Sequence, residues 1–245
     1  YHNLPRMNRH VDPKDITLVA VANRKPTAPY YTYDEFFATA RRFGFEPTII
    51  GTRPGEYQGL GSKPKLLRDA LSKGLLNTKY ILFADAFDVV FQSRIENAVN
   101  ALHYYDADIV WNAERNCFPD AELAPLHTDP GTSFRYLNSG FGIGYRDAFI
   151  ASLEEMDLDS KPGDGNDQGW WMRQHLFGKA CRSALDYDTI LCLAMHQVEA
   201  KDVVLENGMV QCVETGHCPI GTHFNGPSKT AGLREPILRT LGFTV

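Results

Sequence analysis

The feature that most constrains this 245-residue chain is a set of short apolar runs without polar alternation, each followed by an amphipathic segment. Ile16-Thr-Leu-Val-Ala-Val-Ala22 and Tyr80-Ile-Leu-Phe83 are rich in β-branched and aromatic residues, and Asp108-Ile-Val-Trp111 repeats the pattern. A strand that reads apolar on both faces expects cover on both faces, which is the environment of a parallel sheet between helices. Pro47-Thr-Ile-Ile50 adds another short strand, and Tyr136–Tyr145 a glycine-laced one, where glycine marks close approach by a ligand or another part of the chain.

Helical signals fall between these runs. Thr32 and Glu35 make a capping box before the apolar face of Phe36, Phe37, Ala40 and Phe43, and Gly44 closes that helix. Ser62 is placed to cap a helix that carries Pro64 in its first turn and buries Leu66, Leu67, Ala70 and Leu71. Further helices are expected through Ile95–Leu102, Ala148–Met156 and Gln168–Phe177. Val203–Leu205 and Met209–Gln211 flank Asn207-Gly208, a hairpin signal. Strands alternating with helices give an α/β fold with a mostly parallel central sheet. With no repeat and no clear linker, residues 1–245 read as a single domain, with 1–14 as a loose N-terminal arm.

Composition excludes more than it selects. Hydrophobic residues are 43% and charged residues 22%, an ordinary globular balance. The formal net charge of -5 counts against a protein built on nucleic-acid phosphates. No apolar run approaches the ~20 residues that cross a bilayer. The polar N-terminal stretch lacks the apolar region of a signal peptide. Five scattered cysteines without Cys-x-x-Cys spacing read as free thiols, not as a disulfide framework or zinc site. Together these give a cytoplasmic expectation.

Chemistry concentrates at Asp85-Ala86-Phe87-Asp88, directly after a buried strand. In open α/β sheets the ligand crevice lies at the carboxyl ends of strands. Two acids three residues apart on such a turn can converge on one cation; they can equally be solvated loop acids, one of them capping the next helix. His223, in Thr-His-Phe-Asn-Gly-Pro-Ser-Lys, is either the matching imidazole or a structural or surface histidine. Two carboxylates and one imidazole, completed by diphosphate oxygens, suit an octahedral ion, Mn²⁺ more than Mg²⁺. Trp170 and Trp171 offer faces for a sugar or for core packing of their helix. Gly140-Phe-Gly-Ile-Gly144 lacks the spacing and the following helix of a dinucleotide fingerprint.

Seven stretches in one order carry a family resemblance: Gly59–Lys63, Ile81–Val90, Ala113-Glu114 with Cys117–Pro119, Leu137–Gly140 with Ile143–Tyr145, Asp167-Gln168, Leu185-Asp186 and His223–Lys229. Over roughly Ile16 to Lys229 the sequence resembles the glycosyltransferase domain of the procollagen lysyl hydroxylases. That resemblance implies a single nucleotide-sugar-binding domain of the GT-A, Rossmann-like kind and transfer of a hexose from a UDP-sugar to an acceptor hydroxyl, with retention at the anomeric carbon. It implies Asp85, Asp88 and His223 as ligands of Mn²⁺ (or Mg²⁺), with Ala86 between the two acids. Val21, Ala22 and Asn23 would line the uridine pocket and Lys63 would lie near the nucleotide. Asn225, Gly226 and Lys229 would meet the diphosphate, where the lysine offsets charge on the leaving group. Asn138-Ser139 and Asp167-Gln168 would face donor sugar and acceptor, with Asp167 nearest the reacting carbon.

Two departures stand out. The family's aspartate run before the Asp-Gln pair is here Asp164-Gly-Asn-Asp167, and its gate tryptophan is Phe118. The acceptor classes that fit are a protein, a glycan or a small molecule; the acidic pI of about 5.9 lowers a modified nucleic-acid base. Two other readings use the same residues: a non-catalytic nucleotide-sugar or glycan-binding domain, and a metal-dependent nucleotidyl or phosphoryl transferase.

Overall fold

Ile16–Val21 forms β1, buried along nearly its whole length, and its side chains divide between two cores. Val19 and Val21 enter one, while Leu18 and Ala20 enter the other. The alternation follows from the pleat, and burial of both sets explains why the run carries no polar positions. The computed structural model describes residues 11–23, 34–159, 165–230 and 232–244. Asp12, before β1, accepts a bond from the Lys14 N–H and opens one 3-10 turn over Pro13–Asp15.

After β1 come α1 (Asp34–Arg42), β2 (Thr48–Ile50), α2 (Lys63–Ser72), β3 (Tyr80–Ala84), β4 (Val89–Phe91), α3 (Val99–Tyr104) and β5 (Ile109–Glu114). Then follow β6 (Tyr136–Tyr145), α4 (Arg146–Glu155), α5 (Asp167–Phe177), β7 (Ser183–Asp186) and β8 (Cys192–Ala194). The chain ends with β9 (Val203–Glu206), β10 (Met209–Cys212), β11 (Gly221–His223) and α6 (Arg234–Thr240). Thr32, the proposed cap of α1, lies outside the described residues.

The central sheet has six strands in the order β2-β1-β3-β6-β5-β7. Every pairing that excludes β6 is parallel, and β6 runs antiparallel to both β3 and β5. The expected mostly parallel α/β sheet is therefore present, with one strand reversed. One core lies under α2, α4, α5 and α6 (Leu67, Phe149, Trp171, Ile237), and the opposite one under α1 and α3 (Phe36, Val99). The result is a sheet sandwiched between helical layers.

The glycines of β6 make this packing possible. A Cβ on Gly142 would stand 2.4 Å from the Trp111 ring, and one on Gly144 would stand 2.9 Å from Phe149. Trp111, Phe149 and Trp171 then pack ring against ring, with Trp111 and Trp171 centroids 4.6 Å apart. Of the two tryptophans open to either role, Trp171 belongs to the core and is 2% exposed.

Three local expectations change. Ser62 makes no cap bond to α2; its hydroxyl donates to the Gly59 carbonyl and closes the 3-10 turn Leu60–Ser62 instead. The segment Ile95–Leu102 begins as 3-10 helix over Ile95–Ala98 and becomes α-helical only from Val99. β5 continues past Trp111, through a bulge, to Glu114. The Asn207-Gly208 hairpin is present as expected, both residues at positive φ (51° and 74°), joining β9 and β10.

A second, three-stranded sheet left no signal in the residue pattern. β11 pairs antiparallel with β4 and parallel with β8. It sets His223 opposite Val89, the residue after Asp88.

Candidate active site

The carboxyl end of β3 supplies the first half of the site. Asp85 leaves β3 with its N–H on the Gly140 carbonyl (2.9 Å), and the turn ends at Asp88, whose carbonyl accepts the Phe224 N–H (2.8 Å). That bond and the β4–β11 register carry His223 to the two acids. Its Nε2 lies 3.5 Å from Asp88 Oδ1 and 3.8 Å from Asp85 Oδ2. Among the described residues, Asp85, Asp88 and His223 form a cluster whose potential ligand atoms all lie within 4.8 Å of one another. Asp88 and His223 are buried, at 4% and 3% exposure. The donor set, two carboxylates and an imidazole, fits a divalent cation such as Mn²⁺ or Mg²⁺.

Two lysines share these acids. Lys63, at the start of α2, places Nζ 2.6 Å from Asp85 Oδ1 and 3.4 Å from Asp167 Oδ2. Lys229 Nζ lies 2.7 Å from Asp88 Oδ2. Burial works against the Lys63 ammonium, but Asp167 and Asp85 outweigh it and hold its pKa above the ordinary value. Burial likewise pushes the Asp88 carboxyl up, and His223 and Lys229 more than reverse that, so it stays ionised well below the usual range. For Asp167 burial wins: its pKa is raised despite Lys63 and the Ser139 hydroxyl. The Ser139 Oγ donates to Asp167 Oδ2 at 3.0 Å. Asn166 caps α5 by accepting the Gln168 N–H, which fixes Asp167 and Gln168 at the helix N-terminus facing the cleft.

The floor of the cleft is organised by Glu114, whose role the residue pattern did not single out. It is 2% exposed. Its Oε1 accepts Asn138 Nδ2 and Gln168 Nε2, both at 2.9 Å, and its Oε2 accepts Asn225 Nδ2 at 2.9 Å. Burial raises its pKa, opposed by the Asn138 and Gln168 donors. His196 lies beside it, Nδ1 3.8 Å from Oε2, with its backbone N–H on Asn225 Oδ1. Glu114 stood in one stretch of the resemblance, Ala113-Glu114, and the structure adds that it ends a wholly buried strand.

These groups enclose a cavity of about 380 Å³ lined among others by Lys63, Asp85, Glu114, Phe118, Asp167 and His223. Asn138, Gln168, Asn225, Gly226 and Lys229 line it too. Its rim exposes two apolar side chains, Leu60 at 47% and Phe118 at 49%. Val21, Ala22 and Ala86 are instead buried in the cores and do not line this cavity. Ala22 is tied to β2 by its N–H on the Ile50 carbonyl. Asn23 follows at the end of the described segment and does not line the cavity. All five cysteines are free thiols. Among the described residues no helix is long and apolar enough to cross a membrane.

The chain is similar to several known proteins. The family described as PLOD GT domain matches residues 12–234. A procollagen-lysine,2-oxoglutarate 5-dioxygenase of Drosophila melanogaster is 30% identical over 83% of this chain and 30% of its own length. A multifunctional procollagen lysine hydroxylase and glycosyltransferase of Caenorhabditis elegans is 28% identical over 71% of this chain and 25% of its own. An uncharacterized protein of Acanthamoeba polyphaga mimivirus is 29% identical over 70% and 36% respectively. The chain thus spans about a third or less of the length of these relatives. Among solved structures, a glycosyltransferase involved in the glycosylation of the major capsid of PBCV-1 aligns over 91% of this chain and 98% of that one. Its identity is 13% and its TM-score 0.48, a level at which neither mechanism nor substrate carries over.

Proposed function

The chain belongs to the PLOD GT domain family, and from that premise we propose that it is a metal-dependent glycosyltransferase moving a hexose from a UDP-sugar to an acceptor hydroxyl. The observation that carries the reading is the convergence of Asp85, Asp88 and His223 from two different sheets onto one point at the edge of a cleft. Those residues would hold Mn²⁺ or Mg²⁺, which when bound grips the donor diphosphate and offsets charge on it as it departs.

The chain's own groups divide the remaining work. Lys63 and Lys229 hold ammonium charge at the cleft wall, where a diphosphate can take over the contacts they now make with Asp85 and Asp88. Asn225 and Gly226 offer polar backbone and amide groups on the same wall. Asn23, half-buried just after β1, would bound the nucleoside, with the buried Val21 and Ala22 leading to it. Asp167, held between Lys63 and Ser139, would face the reacting carbon of a sugar lying on Gln168 and Asn138. Binding both substrates across one rigid cleft supplies the orientation that such transfer needs. The acceptor is a hydroxyl on a protein, glycan or small molecule, entering past Phe118 and Leu60. We take the transfer to retain configuration.

The deciding experiment measures release of UDP from a panel of UDP-sugars, with and without Mn²⁺, for the native chain and Asp88→Ala. Mn²⁺-dependent release from one sugar, reduced at least 100-fold in the variant, supports the reading. Release of UMP or inorganic phosphate instead would mean attack at phosphorus, and no release with no nucleotide binding would mean a non-catalytic domain. Either outcome overturns the proposal.

A further inference from the structure

Asn138 sits one hydrogen bond behind His223. The Asn138 Oδ1 lies 2.9 Å from His223 Nδ1, and its amide cannot turn over. On one side the Gly140 N–H, a group that can only donate, points at Asn138 Oδ1 from 3.0 Å. On the other side Asn138 Nδ2 donates to Glu114 Oε1 at 2.9 Å. Exchanging oxygen and nitrogen would set two N–H groups against each other at Gly140 and leave Glu114 facing an oxygen. Which way an amide points is decided by such a network, and here both neighbours decide it the same way.

With Oδ1 fixed as an acceptor, the ring nitrogen facing it must carry hydrogen. The neutral imidazole then has its proton on Nδ1 and a bare lone pair on Nε2. With the ring neutral, that lone pair faces Asp85 Oδ2 and Asp88 Oδ1 at 3.8 and 3.5 Å, so three acceptors converge with no hydrogen between them, while Lys63 and Lys229 hold the other oxygens of the two acids. Such a set is satisfied by a cation. Glycine at 140 is part of the arrangement, because the ring lies against the bare backbone there.

We propose that Asn138 is a positioning residue: locked by Glu114 and the Gly140 N–H, it holds the His223 proton on Nδ1 and so keeps Nε2 free for the cation. This deepens the reading of Asp85, Asp88 and His223 as a metal site and rests on it. Glu114 serves the same end one bond further out, and through Gln168 and Asn225 it orients two more cleft amides. Ligating histidines elsewhere commonly have their second nitrogen fixed in this manner, and loss of the partner weakens metal binding by roughly 10- to 100-fold.

The test uses ¹⁵N-histidine-labelled, metal-free protein at pH 9, where long-range ¹H–¹⁵N spectra separate the two neutral tautomers, together with Mn²⁺ titration followed by EPR. The native chain should show His223 protonated on Nδ1. Asn138→Ala should move the proton towards Nε2 and weaken Mn²⁺ by roughly 10- to 100-fold. Asn138→Leu, which leaves little cavity, tests the same point should the alanine variant fail to fold. Asn138→Asp keeps an acceptor facing His223 Nδ1 and the Gly140 N–H, and should keep the proton on Nδ1. An unchanged tautomer and Mn²⁺ affinity in Asn138→Ala or Asn138→Leu overturns the proposal. A native chain that binds no Mn²⁺ overturns the metal reading instead, while the tautomer spectra still decide the role of Asn138.

Discussion

Gly140 and His223 are in face-to-backbone contact: a Cβ built on Gly140 would stand 2.1 Å from Cε1 of the His223 ring and 2.8 Å from its Nε2. No side chain larger than hydrogen fits, and the ring is pinned there by the Asn138 bond to Nδ1, itself 2.7 Å from that Cβ. Gly140→Ala should therefore displace the imidazole from Asp85 and Asp88. Overpacking of this kind costs about 1–3 kcal/mol, and the lowered urea midpoint should come with weaker Mn²⁺ binding. A variant that loses stability but binds Mn²⁺ like the native chain would show that the ring position does not matter to the site.

Lys63 is the second sensitive point. Its side chain is 7% exposed and lies between Asp85 and Asp167. Lys63→Met keeps the length and removes the charge, leaving two carboxylates facing each other. Breaking a buried pair on one side costs about 3–5 kcal/mol. The sign with pH follows from the carboxylates. Without the ammonium, Asp167, whose pKa is already raised by burial, rises further, so the folded variant binds a proton more readily than the unfolded one. The stability deficit of Lys63→Met relative to the native chain should thus shrink as pH falls from 7.5 to 5. Urea unfolding at both pH values measures this; a deficit independent of pH would mean that packing, not charge, is what Lys63 contributes.

The sequence disclosed one half of the site better than the other. Asp85 and Asp88 could be placed because they end an apolar run long enough to read, and a strand's carboxyl end is where α/β ligand crevices form. His223 entered by its neighbours in the chain and by resemblance. What brings it to Asp88 is a sheet of three-residue strands, Val89–Phe91, Cys192–Ala194 and Gly221–His223, too short to show any periodicity. The reversal of β6 was equally hidden, because strand direction depends on where the connection goes and leaves no mark on composition. The role of Glu114 was missed for a related reason. Its partners Asn138, Gln168 and Asn225 lie 24, 54 and 111 residues away, and only the extension of β5 past its bulge brings them to one carboxylate.

The two adjacent tryptophans should separate cleanly. Trp171 is packed between Trp111 and Phe149, with centroids 4.6 and 5.9 Å away. Trp171→Ala should cost about 3–5 kcal/mol, as expected for a large buried aromatic. Trp170 is only half-buried and lies beside Gly165, so Trp170→Ala should cost less than half as much. Thermal melts of both variants decide it. Equal losses would mean that α5 is held from both sides.

Acid stability should depend on a histidine pair far from the proposed metal site. The His127 and His175 rings stack with centroids 6.1 Å apart, and His127 is 4% exposed with neither ring nitrogen hydrogen-bonded. Burial lowers the His127 pKa, with Arg135 adding to the effect; burial and then His127 push His175 down to about 4. Both rings are held neutral in the fold, whereas in the unfolded chain they take up protons near pH 6.5. Between those values the unfolded state binds more protons, so stability falls as pH falls from about 6.5 towards 4. For His175 alone the displacement corresponds to on the order of 3 kcal/mol. His175→Gln removes the titrating ring and leaves a polar group for the Ser183 hydroxyl, which now lies 2.7 Å from His175 Nδ1. Its urea midpoint should lie below that of the native chain at pH 7.5 and approach or exceed it at pH 4.5. A constant gap between the two midpoints across that range would assign the acid sensitivity of the chain to other groups.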